Sequence, residues 1–384
     1  MKEGWELKKL GDVCYSKSSN VSQNQLTEEF GEYPIWGASG FIKNISFFHR
    51  DKPYLSIVKD GSGYGRITKM NAYSSVIGTL QYILPNEDID LDYLNYSLMS
   101  VDFNKYVQGA AIPHIYFKDY KNEPFLWMPL PEQQRIVSIL DEAFAAIDKA
   151  KANAEKNLKN AKELFESYLQ GVFENKGDGW EEMKISEIGL CQTGSTPKTT
   201  DKENFGNFIP FIKPADINFN GVGDIRYTND GLSEIGVKKA RNMKKGSILM
   251  VCIGATIGKV GFSEIEVSCN QQINSLTPKE EYEPKYIYYA MSSKSFQEKV
   301  ISEGKGAQAT LPIINKSKWE NLSISIHLDK DEQRKYSIIL DSLSAETKRI
   351  ESIYQQKLTD LEELKKSILQ KAFNGELNTA DICA

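Results

Sequence analysis

The chain contains no apolar run near the roughly 20 residues that a bilayer-crossing helix requires. Its opening residues, Met1-Lys2-Glu3-Gly4-Trp5, have no apolar stretch of the signal-peptide kind. Neither a membrane span nor export is expected, and the expected location is the cytoplasm. The five cysteines (14, 191, 252, 269 and 383) are odd in number and scattered, which argues against a disulfide framework and fits a reducing compartment. The three histidines (49, 114 and 327) have no spacing suited to zinc. A net positive charge is also lacking: the formal net charge is −5. That argues against a protein that coats DNA indiscriminately and leaves room for a local reader whose lysines gather on one face. Proline is absent from 132 to 173, and Gly171 is the single glycine there.

What the chain does have is a repeat. Glu132-Gln133-Gln134-Arg135-Ile136-Val137-Ser138-Ile139-Leu140-Asp141 returns as Glu332-Gln333-Arg334-Lys335-Tyr336-Ser337-Ile338-Ile339-Leu340-Asp341, 200 positions on. Leu169-Gln170 and Phe173 return as Leu369-Gln370 and Phe373 at the same offset. Upstream the offset drifts: Trp5-Glu6 matches Trp180-Glu181 at 175, and Val58–Ile67 matches Val251–Val260 at 193. Each unit therefore has a first part that tolerates insertion, as loops and recognition surfaces do, and a second part of fixed length.

The fixed parts read as helices. Small or apolar residues recur at steps of three and four, with one wider gap near Asn157-Leu158: Ile136, Leu140, Ala143, Ile147, Ala150, Ala154, Ala161, Leu164, Tyr168 and Val172 in one copy, and Tyr336, Leu340, Leu343, Thr347, Ile350, Tyr354, Leu361, Leu364, Ile368 and Ala372 at the corresponding positions of the other. This is the pattern of a packed helical seam. Pro131 suits a first helical turn, and Asn374-Gly375 suits a stop. Neither helix can bury its seam alone, so the two are expected to pair antiparallel as a coiled coil; two independent coiled coils that join other chains are the alternative. The domain boundaries expected are 1–131 and 176–327 for the globular parts, 132–175 for the first long helix, and 328–384 for the second helix and tail.

The globular parts contain short apolar runs bounded by turns, at 54–58, 81–84, 247–251 and 259–262, which read as strands. Single short helices are expected near Leu91–Val101 and Pro284–Val300. The spacing lacks regular βαβ alternation, so each part is expected to be an α/β unit with a mixed sheet. The whole is an α+β/α chain with a pseudo-twofold internal repeat.

Catalytic motifs do not emerge. Gly254-Ala255-Thr256-Ile257-Gly258-Lys259 has three residues between its glycines where a phosphate loop needs four, and Val260 where it needs Ser or Thr. Asn122-Glu123-Pro124-Phe125 has the wrong second residue for an amino-methyltransferase motif. No catalytic or metal-ligating residue is assigned. The candidate partner-contacting residues are Lys43, Arg50, Lys59, Tyr64, Arg66 and Lys69 in the first unit. In the second they are Lys198, Thr199, Lys213, Asn218, Arg241, Lys259, Gln271 and Lys305. Lys and Arg suit phosphates, while Arg, Asn and Gln suit base edges, so as clusters these residues suit contact with double-stranded DNA; a solvated surface is the alternative for any one of them.

Two variable units, each followed by a long helix, the first opening Pro129-Leu130-Pro131-Glu132-Gln133-Gln134-Arg135, resemble the DNA specificity subunit of type I restriction–modification systems. Gly194-Ser195-Thr196-Pro197, after Thr193, is similar to the opening of a target-recognition domain in that family. His327-Leu328-Asp329-Lys330-Asp331 departs from the family pattern at the head of the second helix. The resemblance implies two target-recognition domains that each read half of an asymmetric, split DNA site. It implies a helical spacer that docks methyltransferase subunits, two of them, and a restriction/translocase subunit that joins this core. It also implies that this chain binds no cofactor: S-adenosylmethionine, and ATP with Mg2+, would lie on the partner subunits. A non-catalytic protein-interaction scaffold without DNA selectivity is the competing reading.

Overall fold

The computed structural model describes residues 4–109, 111–217, 223–228, 231–304 and 312–376. Two long helices dominate the element order, Leu130–Glu174 and Lys330–Phe373. The chain divides into two compact units, and the division cuts each helix in half. One unit is Met1–Glu155 with Gln356–Ala384, and the other is Lys156–Gln355.

In the first unit, strand Glu6–Lys9 pairs antiparallel with Pro124–Trp127. A four-stranded antiparallel sheet runs in the order Cys14–Ser18, Leu80–Pro85, Tyr54–Val58, Ile67–Met70. A second sheet joins Gly40–Ile45, Tyr33–Gly37 and Ser75–Val76, the last pair parallel. Tyr54–Val58 is buried at every position, as its four apolar residues dictate, and the Ser56 hydroxyl in their midst donates to the Thr68 carbonyl at 3.3 Å. Helix Leu91–Met99 is capped by Asp90, whose carboxylate accepts the Asp92 and Tyr93 amides. The half-helices of this unit pair antiparallel: Asp148 faces Lys365 at 3.4 Å, and further along Lys151 faces Glu362. Ile136, Leu140, Phe144, Ile147, Leu369 and Ala372 enter the same core as Tyr93 and Phe125.

The second unit repeats the plan with additions. Trp180–Lys184 pairs antiparallel with Ser323–His327. A five-stranded sheet runs Gly189–Thr193, Ile273–Pro278, Ile248–Val251, Val260–Phe262, Gly223–Asp224, its last pair parallel. A second five-stranded sheet runs Phe205–Gly206, Gly231–Leu232, Ile209–Ile212, Val267–Cys269, Asn242–Met243. Both are mixed sheets. The half-helices again pair antiparallel, with Asn157 donating to the Tyr354 hydroxyl at 3.0 Å and Lys162 near Glu351 at 3.8 Å. Asp329 caps the second long helix by accepting the Asp331 amide at 2.7 Å, which helps hold its carboxyl below the usual range. Gly375 ends that helix with φ +77°, a backbone state that favours glycine.

Two expectations need correction. The single helix over Pro284–Val300 is two helices, Pro284–Ser292 and Lys294–Gly304. Ser293 between them is extended (ψ 149°), with its hydroxyl returned to the Ala290 carbonyl. The helical seam also runs one residue later than its spacing suggested. Leu164, Tyr168 and Leu364 are exposed at 67%, 36% and 47%, whereas Phe165, Leu169 and Phe173 are buried. The change falls after Leu158, where consecutive four-residue steps carry an undistorted helix past the strict heptad register. In the second helix Lys365 takes the seam position beside Leu364, its ammonium 4.8 Å from the Phe144 ring centroid. Ile136, Leu140, Ile147 and Leu340 are buried, while Leu343, Ile350, Leu361 and Ile368 are half-buried.

Candidate nucleic-acid interface

The best-defined surface feature of each unit is a glycine hairpin. In the first unit it joins Tyr54–Val58 to Ile67–Met70; in the second it joins Ile248–Val251 to Val260–Phe262. The two are built alike. Gly65 donates to the Val58 carbonyl and Gly258 to that of Val251, each at 2.9 Å. Gly61 donates to Pro113 at 2.9 Å and Gly254 to Pro312 at 3.1 Å. Lys59 donates to Thr79 at 3.0 Å, and Cys252 to Gln272 at 2.8 Å. All four of these glycines have positive φ: +91° and +78° in one hairpin, +104° and +92° in the other. A Cβ at Gly65 would lie 2.9 Å from the Phe103 ring, while one at Gly61 or Gly254 would meet nothing within 4 Å. The second glycine of each hairpin is packed tight, whereas the first has open space beside its Cα, which lets another molecule approach closely.

Around the first hairpin, Lys59 donates to Asp60 at 2.8 Å and His114 Nδ1 lies 2.8 Å from the other Asp60 oxygen. Partial burial pushes the Asp60 carboxyl up, but these hydrogen bonds outweigh it and hold it below the ordinary value. Tyr64 donates to Asn104 at 2.7 Å, and exposed Arg66 donates to the Ala38 carbonyl. Lys43 donates to the Leu26 carbonyl at 2.9 Å and lies 4.2 Å from the Phe30 ring centroid. Lys69 is engaged by both Asp92 oxygens, at 2.6 and 2.7 Å. The half-buried Arg50 guanidinium lies over the Tyr82 ring at 4.6 Å. Spacing had set these six side by side; the structure gives them separate tasks. Arg66, Lys59 and Tyr64 belong to the hairpin, whereas Lys69 is tied to a helix and Arg50 to a buried ring.

Sequence reasoning missed an aromatic ladder in this unit. Tyr33, Phe48 and Tyr73 stack edge to face with centroids 4.8 and 5.1 Å apart. Tyr73 is the non-glycine residue with positive φ among the described residues, at 55°. A single-residue backbone outlier leaves no trace in a hydropathy pattern.

In the second unit three distant segments meet beside the hairpin. The Arg241 guanidinium donates to the Thr193 carbonyl at 2.8 Å, and its backbone amide donates to the Ser195 hydroxyl at 2.9 Å. Thr196 donates to the Gln271 side-chain oxygen at 2.7 Å. Asn270 donates its amide to the Gln272 oxygen at 3.0 Å. Gly194 permits this meeting, since a Cβ there would fall 2.1 Å from the Asn270 carbonyl oxygen. Lys213 follows Ile212, whose carbonyl accepts the Asn270 amide, so it borders the same cluster. Lys259 is half-buried at the base of the hairpin; Lys198 and Thr199 are exposed beyond Pro197. Asn218 and Lys305 lie outside the described residues. Ser195 and Thr196 were not singled out individually, although Gly194–Pro197 had marked the segment.

Among the described residues, no group of three or more His, Cys, Asp or Glu side chains is placed to hold a metal ion. No described helix is long and apolar enough to cross a membrane.

Comparison with known proteins adds an independent line. The family described as type I restriction modification DNA specificity domain matches residues 2–159 and again 177–360. The HindI specificity subunit of Haemophilus influenzae is 30% identical over 203 residues, covering 52% of this chain and 42% of that one. The match thus spans about two fifths of that relative's length. The EcoBI specificity subunit of Escherichia coli is 24% identical over 414 residues, covering 98% of this chain and 81% of the relative. A chain in a solved structure described as showing complex assembly and conformational transition of the type I R-M system superposes with a TM-score of 0.76 at 17% identity. That superposition covers 98% of this chain and 99% of the other, and the likeness is one of fold.

Proposed function

The chain belongs to the type I restriction modification DNA specificity family, and on that premise we propose that it is the non-catalytic subunit that selects DNA sequence for such a system. Each globular part reads one half of a split double-stranded site. Because the two parts differ in sequence, the half-sites differ and the whole site is asymmetric. The two long helices set the distance between half-sites and dock methyltransferase subunits, two per complex, with a restriction/translocase subunit joining that core. S-adenosylmethionine, and ATP with Mg2+, belong to those partners.

One observation carries this reading: the family match occurs twice, and each occurrence holds the same glycine hairpin beside a different set of polar residues. Two readers on one chain bind cooperatively when their spacing and helical phase fit the duplex. The test is methylome sequencing of a host that carries this chain with its methyltransferase, each globular part being exchanged in turn. Exchange of one part should change one half of the methylated motif and leave the other. Insertion of one helical turn into each long helix should change the spacer and leave both half-sites. Altered base identity with an unchanged spacer would overturn the ruler role. Loss of all sequence selectivity in the wild-type complex would favour a protein-interaction scaffold instead.

A further inference from the structure

A duplicated reader meets two demands that pull its residues in opposite directions. Phosphates are alike at every site, so the surface that meets them can stay the same in two units that read different sequences. The surface that meets base edges must differ. The chain therefore sorts its own residues, since each unit serves as the control for the other.

The shared feature is the glycine hairpin. Its hydrogen bonds and its two left-handed glycines recur, and a basic residue follows the second glycine in each: Arg66 after Gly65, and Lys259 after Gly258. The open space beside the Cα of Gly61 and of Gly254 leaves room for close approach of a sugar–phosphate chain. The unlike feature lies next to it. The Lys59 amide is bonded to Thr79 and the Cys252 amide to Gln272, so the same backbone rung holds a neighbouring segment in each unit. That segment is Ile77-Gly78-Thr79 in the first unit and Asn270-Gln271-Gln272 in the second. In the second, Gln271 is exposed, and Thr196 occupies its side-chain oxygen, leaving the amide nitrogen as a donor.

We propose that the hairpins Val58–Ile67 and Val251–Val260 are matched DNA-backbone anchors, with Arg66 and Lys259 as their phosphate-pairing cations, and that Gln271 beside the second anchor reads a base edge. The proposal rests on the DNA-selecting role proposed above. A phosphate contact contributes affinity without sequence information and adds about one unit to the salt dependence of binding. A base contact contributes discrimination with little change in that dependence.

The experiment uses the full chain in complex with its methyltransferase subunits. Binding is measured across a salt series to two duplexes of equal length, one carrying the mapped site and one a scrambled sequence. Arg66→Gln and Lys259→Gln should each weaken both duplexes by the same factor, lower the slope of log K against log salt by about 1, and leave the methylated motif unchanged. Gln271→Ala should keep the slope and relax one position in one half of the motif. Arg66→Lys should retain the wild-type slope, which separates lost charge from a disturbed hairpin. If Arg66→Gln alters the motif, or leaves both affinity and slope at wild-type values, the anchor assignment is wrong. If Gln271→Ala leaves the motif intact, Gln271 is not a base reader. If the wild-type complex binds both duplexes equally, the DNA-selecting role itself fails.

Discussion

Gln133 and Gln333 hold the same place in the two units: each is fully buried at the head of a long helix, with its amide spanning two otherwise separate stretches of backbone. The Gln133 oxygen accepts the Asp90 amide at 2.8 Å, and its nitrogen donates to the carbonyls of Met128 and Asp88 at 2.8 and 2.9 Å. The Gln333 oxygen accepts the Glu283 amide at 2.7 Å, and its nitrogen donates to the His327 carbonyl at 2.6 Å. Each glutamine thus ties its long helix to the short helix that packs on it. A second rung repeats too, with Tyr96 donating to Asp141 and Tyr289 to Asp341.

The first prediction concerns these amides. Gln133→Leu keeps the volume and strands one amide and two carbonyls inside the unit. A buried polar group left without its partner costs about 1–3 kcal/mol. The expected loss is about 3 kcal/mol or more for Gln133→Leu, and somewhat less for Gln333→Leu, which strands one amide and one carbonyl. Denaturant unfolding of each variant checks this, and a loss below about 1 kcal/mol would show that water replaces the amide.

The corrected seam yields a second prediction. Leu140 and Leu340 are fully buried, so truncation of either to Ala should cost about 2–5 kcal/mol. Phe165→Ala should cost about 3–5 kcal/mol for the same reason. Leu164→Ala, one residue away, should stay within about 0.5 kcal/mol of the parent chain because its side chain is exposed. Unfolding of the Leu164→Ala and Phe165→Ala pair decides between the two registers directly.

The helices were legible because their signal is local: a fixed length, no proline beyond the first turn, Gly171 as the single glycine, and steps of three and four. The register past Leu158 was not, because Leu164-Phe165 and Tyr168-Leu169 place apolar side chains at both competing positions. Spacing alone cannot choose between them; the partner half-helix does. The break at Ser293 was hidden for a similar reason, since serine is compatible with a helix and its backbone-bonded hydroxyl is seen only once folded. The glycine hairpins were legible as a repeated segment, Val58–Ile67 against Val251–Val260. Their neighbours were not, because Thr193, Arg241 and Gln271 are brought together by sheet pairing across dozens of residues.

Backbone geometry in the hairpins sets the third prediction. Gly61 and Gly65 both have positive φ, yet only at Gly65 would a Cβ also abut a ring, 2.9 Å from Phe103. Gly61→Ala should cost about 1 kcal/mol for the left-handed backbone alone. Gly65→Ala carries that cost plus overpacking against Phe103, a further 1–3 kcal/mol or so. Comparison of their unfolding midpoints tests the separation, and equal midpoints would mean that the Phe103 ring yields without strain.

The fourth prediction turns on the thiols. Cys14, Cys191, Cys252 and Cys269 are buried, and burial pushes each thiol from its ordinary value of 9.0 up to about 12. The thiolate is the reactive form, so none of the four should react with a thiol reagent at pH 8 while the chain is folded. In a Cys383→Ser background, no thiol should titrate quickly in buffer, and all four should titrate in denaturant. The same shift links stability to alkaline pH. A group whose folded value is raised contributes fully below its unfolded value, and the contribution declines as pH rises beyond it. The chain should therefore hold its stability through neutral pH and lose it progressively between pH 9 and 12, because the unfolded thiols ionise there and the buried ones do not. Rapid labelling of any of the four at pH 8 would mean that its unit opens locally far more often than it unfolds. Cys252 is the most telling of them, since its own carbonyl accepts the Ile314 amide beside the second glycine hairpin.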